Sequence, residues 1–401
     1  MEASPQRTVA KMMRTCRALR DNGARIVLGG GASLRTEDHV LSFVQFLRAD
    51  PTSRIQHLRD LDIGCGELPR CTADELLWLI TSPLLALDSL ALRKADSLLK
   101  SNISPSELTS DGDLNVLVTA LAQLTTVRHL KVSQCDNQAC TLVRTICSPL
   151  KTISVHFPSD GPRNGDEAES RNPILLLAKH SATLEEISGS HFAMLQPHII
   201  YDEVFPCVRR LSASYDAVWC HRTRAHVHAF PNLTHLRLSF ADRGHVGVYH
   251  DTFPTTRALR RRIWNRESLD AVTPRPAWKK LEELRGAVTD VLALGMASHV
   301  PMLRLVGMVM PRAFRHVSTI LEDLLPTGLA IAVAGALTFQ ERMGTLLSGP
   351  AAQQIRELEL EVVFSAAEGD MDIHAVLVRS FFMTLSRRRK ETVLMATLPT
   401  R

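Results

Sequence analysis

One short pattern recurs along this chain and limits what it can become. It reads LRDLDIG from Leu58, LDSLALR from Leu87, VRHLKVS from Val127, LKTISVH from Leu150 and LEEISGS from Leu184. It returns as VRRLSAS from Val208, LTHLRLS from Leu233, LEELRGA from Leu281, MLRLVGM from Met302 and IRELELE from Ile355. Each unit is apolar at its first and fourth positions, and most are apolar at the sixth. Side chains on a strand alternate between two faces, so positions four and six point inward together while three, five and seven point out. Position one closes the turn beneath them. A unit this small cannot bury its own apolar face, so such units stack, each pairing its strand in parallel with the next.

Helical patterns lie between the strands. ADELLWLITSPLLALDSL starts at Ala73 with acidic residues in its first turn, and Pro83 ends it. Further helices are expected over Leu114–Leu124, from Pro173 to His180, and over Ala313–Leu325. The alternation predicts an α/β leucine-rich-repeat solenoid with irregular repeats and parallel strands on its concave face. Composition fits: hydrophobic residues make up 45% and aromatic residues only 5%, as in a core of aliphatic layers. The long intervals from Leu233 to Leu281 and from Met302 to Ile355 hold insertions or a further repeat, and Leu329-Ala330-Ile331-Ala332-Val333 is a candidate strand in the second.

Ahead of the repeats, Val9, Met12, Met13, Cys16 and Leu19 make one apolar helical stripe, and Asp21-Asn22-Gly23 is expected to stop that helix. IVLGGGASL, Ile26 to Leu34, lacks the Gly-Lys-Ser/Thr ending of a phosphate loop and reads as a flexible link. The expected organisation is therefore a helix over 1–28, a link and lead-in over 29–57, and repeats over 58–401.

The stretch VAKMMRTCRALRDNG resembles the second half of an F-box, as found in fungal F-box/leucine-rich-repeat proteins. SFVQFLRADPTSRIQHLRDLDI, from Ser42, is similar to that family's approach to its first repeat, and WKKLEELRGAVTDVLALG, from Trp278, to a late repeat. The Leu-Pro part of the box has no counterpart before Thr8, so the resemblance is to an N-terminally incomplete box. It implies a substrate-recognition subunit of a Skp–cullin–F-box ubiquitin ligase that performs no covalent chemistry. The helical stripe would meet the Skp-type adaptor, itself held on the cullin scaffold, and the repeats would hold the substrate protein. The alternatives are a stand-alone repeat scaffold, in which the same stripe caps the first repeat, and, far behind, a zinc-dependent or hydrolytic enzyme.

The outward positions give a charge map. Asp60 and Asp62 make the first repeat acidic, and Glu357, Glu359 and Glu361 make the last one so. The middle is basic. Lys131, Arg210, His235, Arg237 and Arg285 are the candidate substrate-binding residues, suited by charge-assisted hydrogen bonds to an acidic or phosphorylated partner segment.

Other chemistry finds little support. In WCHRTRAHVHAF, Cys220 and His221 are adjacent and would diverge, so that stretch fits no zinc template. There is no HExxH, GxSxG or kinase signature. No metal, cofactor or enzyme activity is expected. A net charge of +5 is too small to suggest nucleic-acid binding. Arg260-Arg261-Arg262 and Arg387-Arg388-Arg389-Lys390 read as solvated helix faces. With no secretory signal pattern, no membrane-length apolar run and singly scattered cysteines, an intracellular location, cytoplasmic or nuclear, without membrane attachment is expected.

Overall fold

The structure is a computed structural model. It describes residues 17–100, 116–159, 165–193, 201–216, 223–241, 255–272, 277–309, 311–334, 342–363 and 391–397. The chain forms two compact units, Met1–Leu195 and Gln196–Arg401. Both are α/β, with every paired strand parallel to its neighbours in chain order. In the first unit β1 (Ala32–Leu34), β2 (Asp60–Ile63), β3 (Ser89–Leu92), β4 (His129–Ser133), β5 (Thr152–His156) and β6 (Glu186–Phe192) follow one another. In the second, β7 (Arg210–Asp216), β8 (His235–Ala241), β9 (Glu283–Gly286), β10 (Met302–Val309), β11 (Gly328–Ala334), β12 (Glu357–Val363) and β13 (Glu391–Thr397) do the same.

The register aligns the recurring units position by position. Position one is buried in each: Leu58, Leu87, Val127, Leu150 and Leu184 in the first unit, Val208, Leu233, Leu281 and Ile355 in the second. Position four is buried too, from Leu61 to Leu358. The position-two carbonyl accepts two hydrogen bonds from the following unit. Arg59 O takes the N–H groups of Asp88 and Ser89 at 2.8 and 3.0 Å, and Thr234 O takes those of Glu282 and Glu283 at 2.8 and 3.0 Å. Pro301 occupies position two of its own unit, where its missing N–H removes one bond of the pair and leaves the other, Met302 N–H to Glu282 O at 2.9 Å.

Helices fill the connections. They include α1 (Arg17–Gly29), α2 (Glu37–Arg48), α3 (Arg70–Ile80) and α4 (Asn137–Thr145) in the first unit. In the second they include α5 (Thr223–Ala229), α6 (Thr255–Asp270), α7 (Val288–Ala293) and α8 (Phe314–Leu324). Successive helices pack side by side, α2 on α3 and α5 to α8 in turn. Position six of β6 is Gly189 because a side chain there would run into Val155 O and the Phe192 ring, which fills the slot instead.

Several expectations need correcting. Asp21-Asn22-Gly23 does not end α1, which runs on to Gly29. Gly23, Ala24 and Leu28 are buried where α1 meets the turns at Pro51–His57, and small residues permit that approach. The stop comes at Gly31, whose φ of +81° suits glycine and whose N–H caps Leu28 O at 3.0 Å. The supposed flexible link then supplies β1, which pairs with β2. Helix α3 begins at Arg70, ahead of Ala73, and ends before Pro83. Met302 is position three of its unit and not position one, because it pairs with Glu283. Leu329 to Val333 do form a strand, β11. Arg262 is no solvated residue. With Arg266 it grips Asp323 of α8, at 2.8 and 2.7 Å. Residues 387–390 lie outside the described residues.

Candidate functional site

In the second unit the outward positions form rungs running across the strands. On the position-five rung, Ser212, Arg237, Arg285, Arg304, Ala330 and Glu359 succeed one another in register. On the position-three rung Arg210 pairs with His235, and His235 with Glu283. Four of the five expected residues, Arg210, His235, Arg237 and Arg285, are therefore neighbours on one face of β7 to β9.

Three arginines stand side by side, and their fates differ. Arg304 is neutralised twice. Its guanidinium lies 2.6 Å from Glu359 and 3.4 Å from Glu283, and the hydrogen bond to Glu359 raises its pKa. Ala330 is the intervening rung residue, short enough to let Arg304 reach β12. Glu283, two residues from Arg285 on the same strand, thus turns to Arg304. Arg237 and Arg285 are exposed, and neither has an ion pair or side-chain hydrogen bond among the described residues. Adjacent strands lie about 4.8 Å apart, and two like charges roughly 6 Å apart in water repel by about 0.7 kcal/mol. Directly opposed like charges are a liability on a sheet. An anion over this pair would remove it and collect charge-assisted hydrogen bonds from both guanidiniums. Ser212 and the exposed Ser239 flank the pair and offer further donors. His235 is tied locally, its Nδ1 2.9 Å from Thr234 Oγ1.

Lys131 lies in the first unit, exposed at position five of β4. The charge map there changes in one respect. Asp62 is not a free acidic residue: Arg35 meets it at 2.8 Å and Arg93 clasps both its oxygens at 2.8 to 3.0 Å. Arg35 follows β1, the strand that the recurring pattern does not reveal. Nearby, Ser154 Oγ stands 2.9 Å from His156 Nε2, a contact that a nucleophile and its base would make. The other ring nitrogen meets Ser190 Oγ at 3.1 Å and, among the described residues, no carboxylate. Burial, with Lys131 assisting, lowers the His156 pKa. A neutral imidazole between two hydroxyls lacks the anionic orienting group of a triad.

The histidine-rich stretch separates as well. His226 and His228 sit on helix α5, where residues two apart point different ways. His226 is buried and bonded to Tyr215 Oη at 2.5 Å, whereas His228 is exposed. Burial raises the Tyr215 pKa far above the usual phenol range. Among the described residues no group of histidine, cysteine or carboxylate side chains could hold a metal. Cys220 and His221 lie outside them, as do Val9, Met12, Met13 and Cys16. Leu19 lies on α1. No described helix is long and apolar enough to cross a membrane.

Arg304 was missed from sequence because its unit was framed two residues late. The signal that finds it is Leu303 and Leu305 standing as positions four and six, both buried. Comparison with protein-family models and with curated proteins finds no match.

Proposed function

We propose that this chain is a leucine-rich-repeat protein that captures a partner protein through an acidic or phosphorylated segment laid on the outward face of β7 to β9. The observation that carries the reading is the Arg237–Arg285 pair, opposed in register, exposed and left uncompensated while Arg304 beside it takes two carboxylates. Parallel strands in chain order support the repeat assignment, as do the alignment of positions one, four and six and the shared position-two carbonyl bonds.

The wider role we infer is substrate receptor of a Skp–cullin–F-box ligase, with catalysis left to the charged enzyme and the receptor supplying effective concentration. The F-box resemblance of the opening helix suggests it, and one observation favours a docking role for α1. Ile26 is 57% exposed, on the side turned away from the buried Ala24 and Leu28.

Two measurements test these readings. Anisotropy of a labelled tetra-aspartate peptide with the 401-residue chain tests capture: Arg237→Glu/Arg285→Glu should weaken binding at least tenfold, and an unchanged affinity refutes it. Co-purification with the adaptor tests recruitment: wild type should retain it and Met12→Asp/Leu19→Asp should not. Failure of both forms would leave a scaffold whose α1 caps the first repeat.

A further inference from the structure

Helix α6 uses only one side of itself for the fold. Ala258, Asn265 and Leu269 are buried where α6 packs on α5 and α7, and Asn265 donates to Ala293 O at 2.7 Å. The opposite side is open. Thr256, Arg260, Ile263, Trp264 and Glu267, with Ala271 just past the helix end, are exposed and fall in one stripe about 100° wide. Ile263 is 55% and Trp264 41% exposed. Among the described residues they are the one case of two large exposed apolar side chains adjacent in sequence. Trp264 also has a contact within its own chain and keeps this open edge besides. Arg260 stands one turn before the apolar pair and Glu267 one turn after it. Neither has an ion pair or side-chain hydrogen bond among the described residues. An apolar patch rimmed by unpaired charge is the mark of a docking surface.

We infer that α6 docks antiparallel on α6 of a second copy of this chain, about a two-fold axis passing between Ile263 and Trp264. The stripe is its own complement. In an antiparallel helix pair the numbers of the residues that meet have a constant sum. Centred here, Ile263 of one copy meets Trp264 of the other, and Arg260 meets Glu267. At the rims Thr256 meets Ala271, both small enough to let the backbones approach. Arg260 and Glu267 are about 10 Å apart along the helix, so an ion pair stands on each side of the apolar centre. A two-fold axis makes every such contact twice. A parallel pair would set Arg260 against Arg260 and Glu267 against Glu267, so charge selects the antiparallel arrangement. An acidic partner or an anionic lipid surface would gain from Arg260 and be opposed by Glu267, whereas a second copy satisfies both. One helix pair buries less than the roughly 1,200 Å² of a standard interface, so the dimer is weak and its population follows concentration. It uses none of the outward strand residues and is independent of capture on β7 to β9.

The experiment is sedimentation velocity of the full chain over about a hundredfold range of concentration, which should show a monomer–dimer equilibrium. Ile263→Asp should weaken self-association about tenfold or more by placing a charge in the apolar centre. Arg260→Glu alone and Glu267→Arg alone should each weaken it about tenfold, because each turns both ion pairs into like-charge contacts. An equimolar mixture of these two variants should then recover a dimer of near wild-type strength, since each chain supplies the charges the other lacks. The double variant Arg260→Glu/Glu267→Arg should recover it as well. Misfolded chains would not be rescued by mixing, so recovery separates loss of contact from loss of fold. A chain that stays monomeric over the whole range overturns the inference. So does a dimer that ignores Ile263→Asp or the single charge reversals, or one that neither mixing nor the double variant restores.

Discussion

Replacing Asp323 by alanine should be among the most damaging polar substitutions in the second unit. Asp323 lies on α8, and its two oxygens are shared out. Oδ2 accepts from Arg262 Nε and its terminal nitrogen at 3.1 and 2.8 Å, and Oδ1 accepts from Arg266 at 2.7 Å. The three side chains are 16%, 18% and 30% exposed, between the limits set by surface and interior pairs. Removing one partner of a fully buried pair costs about 3–5 kcal/mol, and an exposed pair is worth about 0.2–1 kcal/mol. With partial screening, and two guanidiniums orphaned by a single deletion, about 2–3 kcal/mol is expected. A unit of this size shifts its melting temperature by roughly 2–4 °C per kcal/mol, so the transition should fall by about 5–10 °C. Differential scanning fluorimetry of Asp323→Ala beside Arg260→Ala decides the matter, because exposed Arg260 belongs to the same arginine run. Arg260→Ala should move the transition by no more than about 1–2 °C, as surface substitutions do. If Asp323→Ala is as mild as that control, the α6–α8 clamp does not stabilise the unit and the argument fails.

Gly189→Ala should cost about 2–3 kcal/mol in a urea titration, and Phe192→Leu should not rescue it, because the Val155 carbonyl blocks the same space. Leu325 closes α8 in a left-handed conformation, φ 45°, and is 37% exposed. Leu325→Gly should therefore stabilise by about 0.5–1 kcal/mol, and a lower urea midpoint would contradict this. His180 is buried with its pKa lowered, burial being the main cause, so folding favours its neutral form. Its contribution is complete above the unfolded histidine value near 6.5 and is lost as pH falls below it, so the urea midpoint should drop between about pH 7 and pH 5. A His180→Asn variant that keeps the same pH dependence would assign that loss elsewhere.

What could be read from sequence was whatever repeats. Positions one, four and six of each unit are buried because a two-residue period and stacking leave them nowhere else to go, and β11 was visible from the same alternation. The misreadings come from places where burial overrode local signals. Asp21-Asn22-Gly23 has the composition of a helix stop, yet Gly23 and Ala24 are the small residues that let α1 sit on the turn at Pro51–His57. Arg262 lies in a run of like charges, and only the fold brings Asp323 to it from α8. Strand β1 is three residues long with one buried side chain, Leu34, too little pattern to detect. Strand β13, ETVLMAT, has no apolar residue three positions before its Thr392, so the recurring spacing does not mark it.

The site was half legible for a related reason. The identity of an outward residue can be read from its position, but whether its charge is free depends on which strand comes next. Asp62 and Arg93 belong to successive units, and Arg35 completes their cluster from the strand before. Arg304 and Glu359 are two strands apart and meet only because Ala330 between them is short. Charges therefore cancel wherever a small rung residue lets opposite partners approach. Arg237 and Arg285 escape cancellation because they neighbour each other and because Glu283, the carboxylate within reach, is committed to Arg304. The same ladder that pairs Arg304 with Glu283 and Glu359 leaves Arg237 and Arg285 side by side on two adjacent strands. That uncompensated pair, more than the count of basic residues, is what the proposed capture of an anionic segment on β8 and β9 rests on.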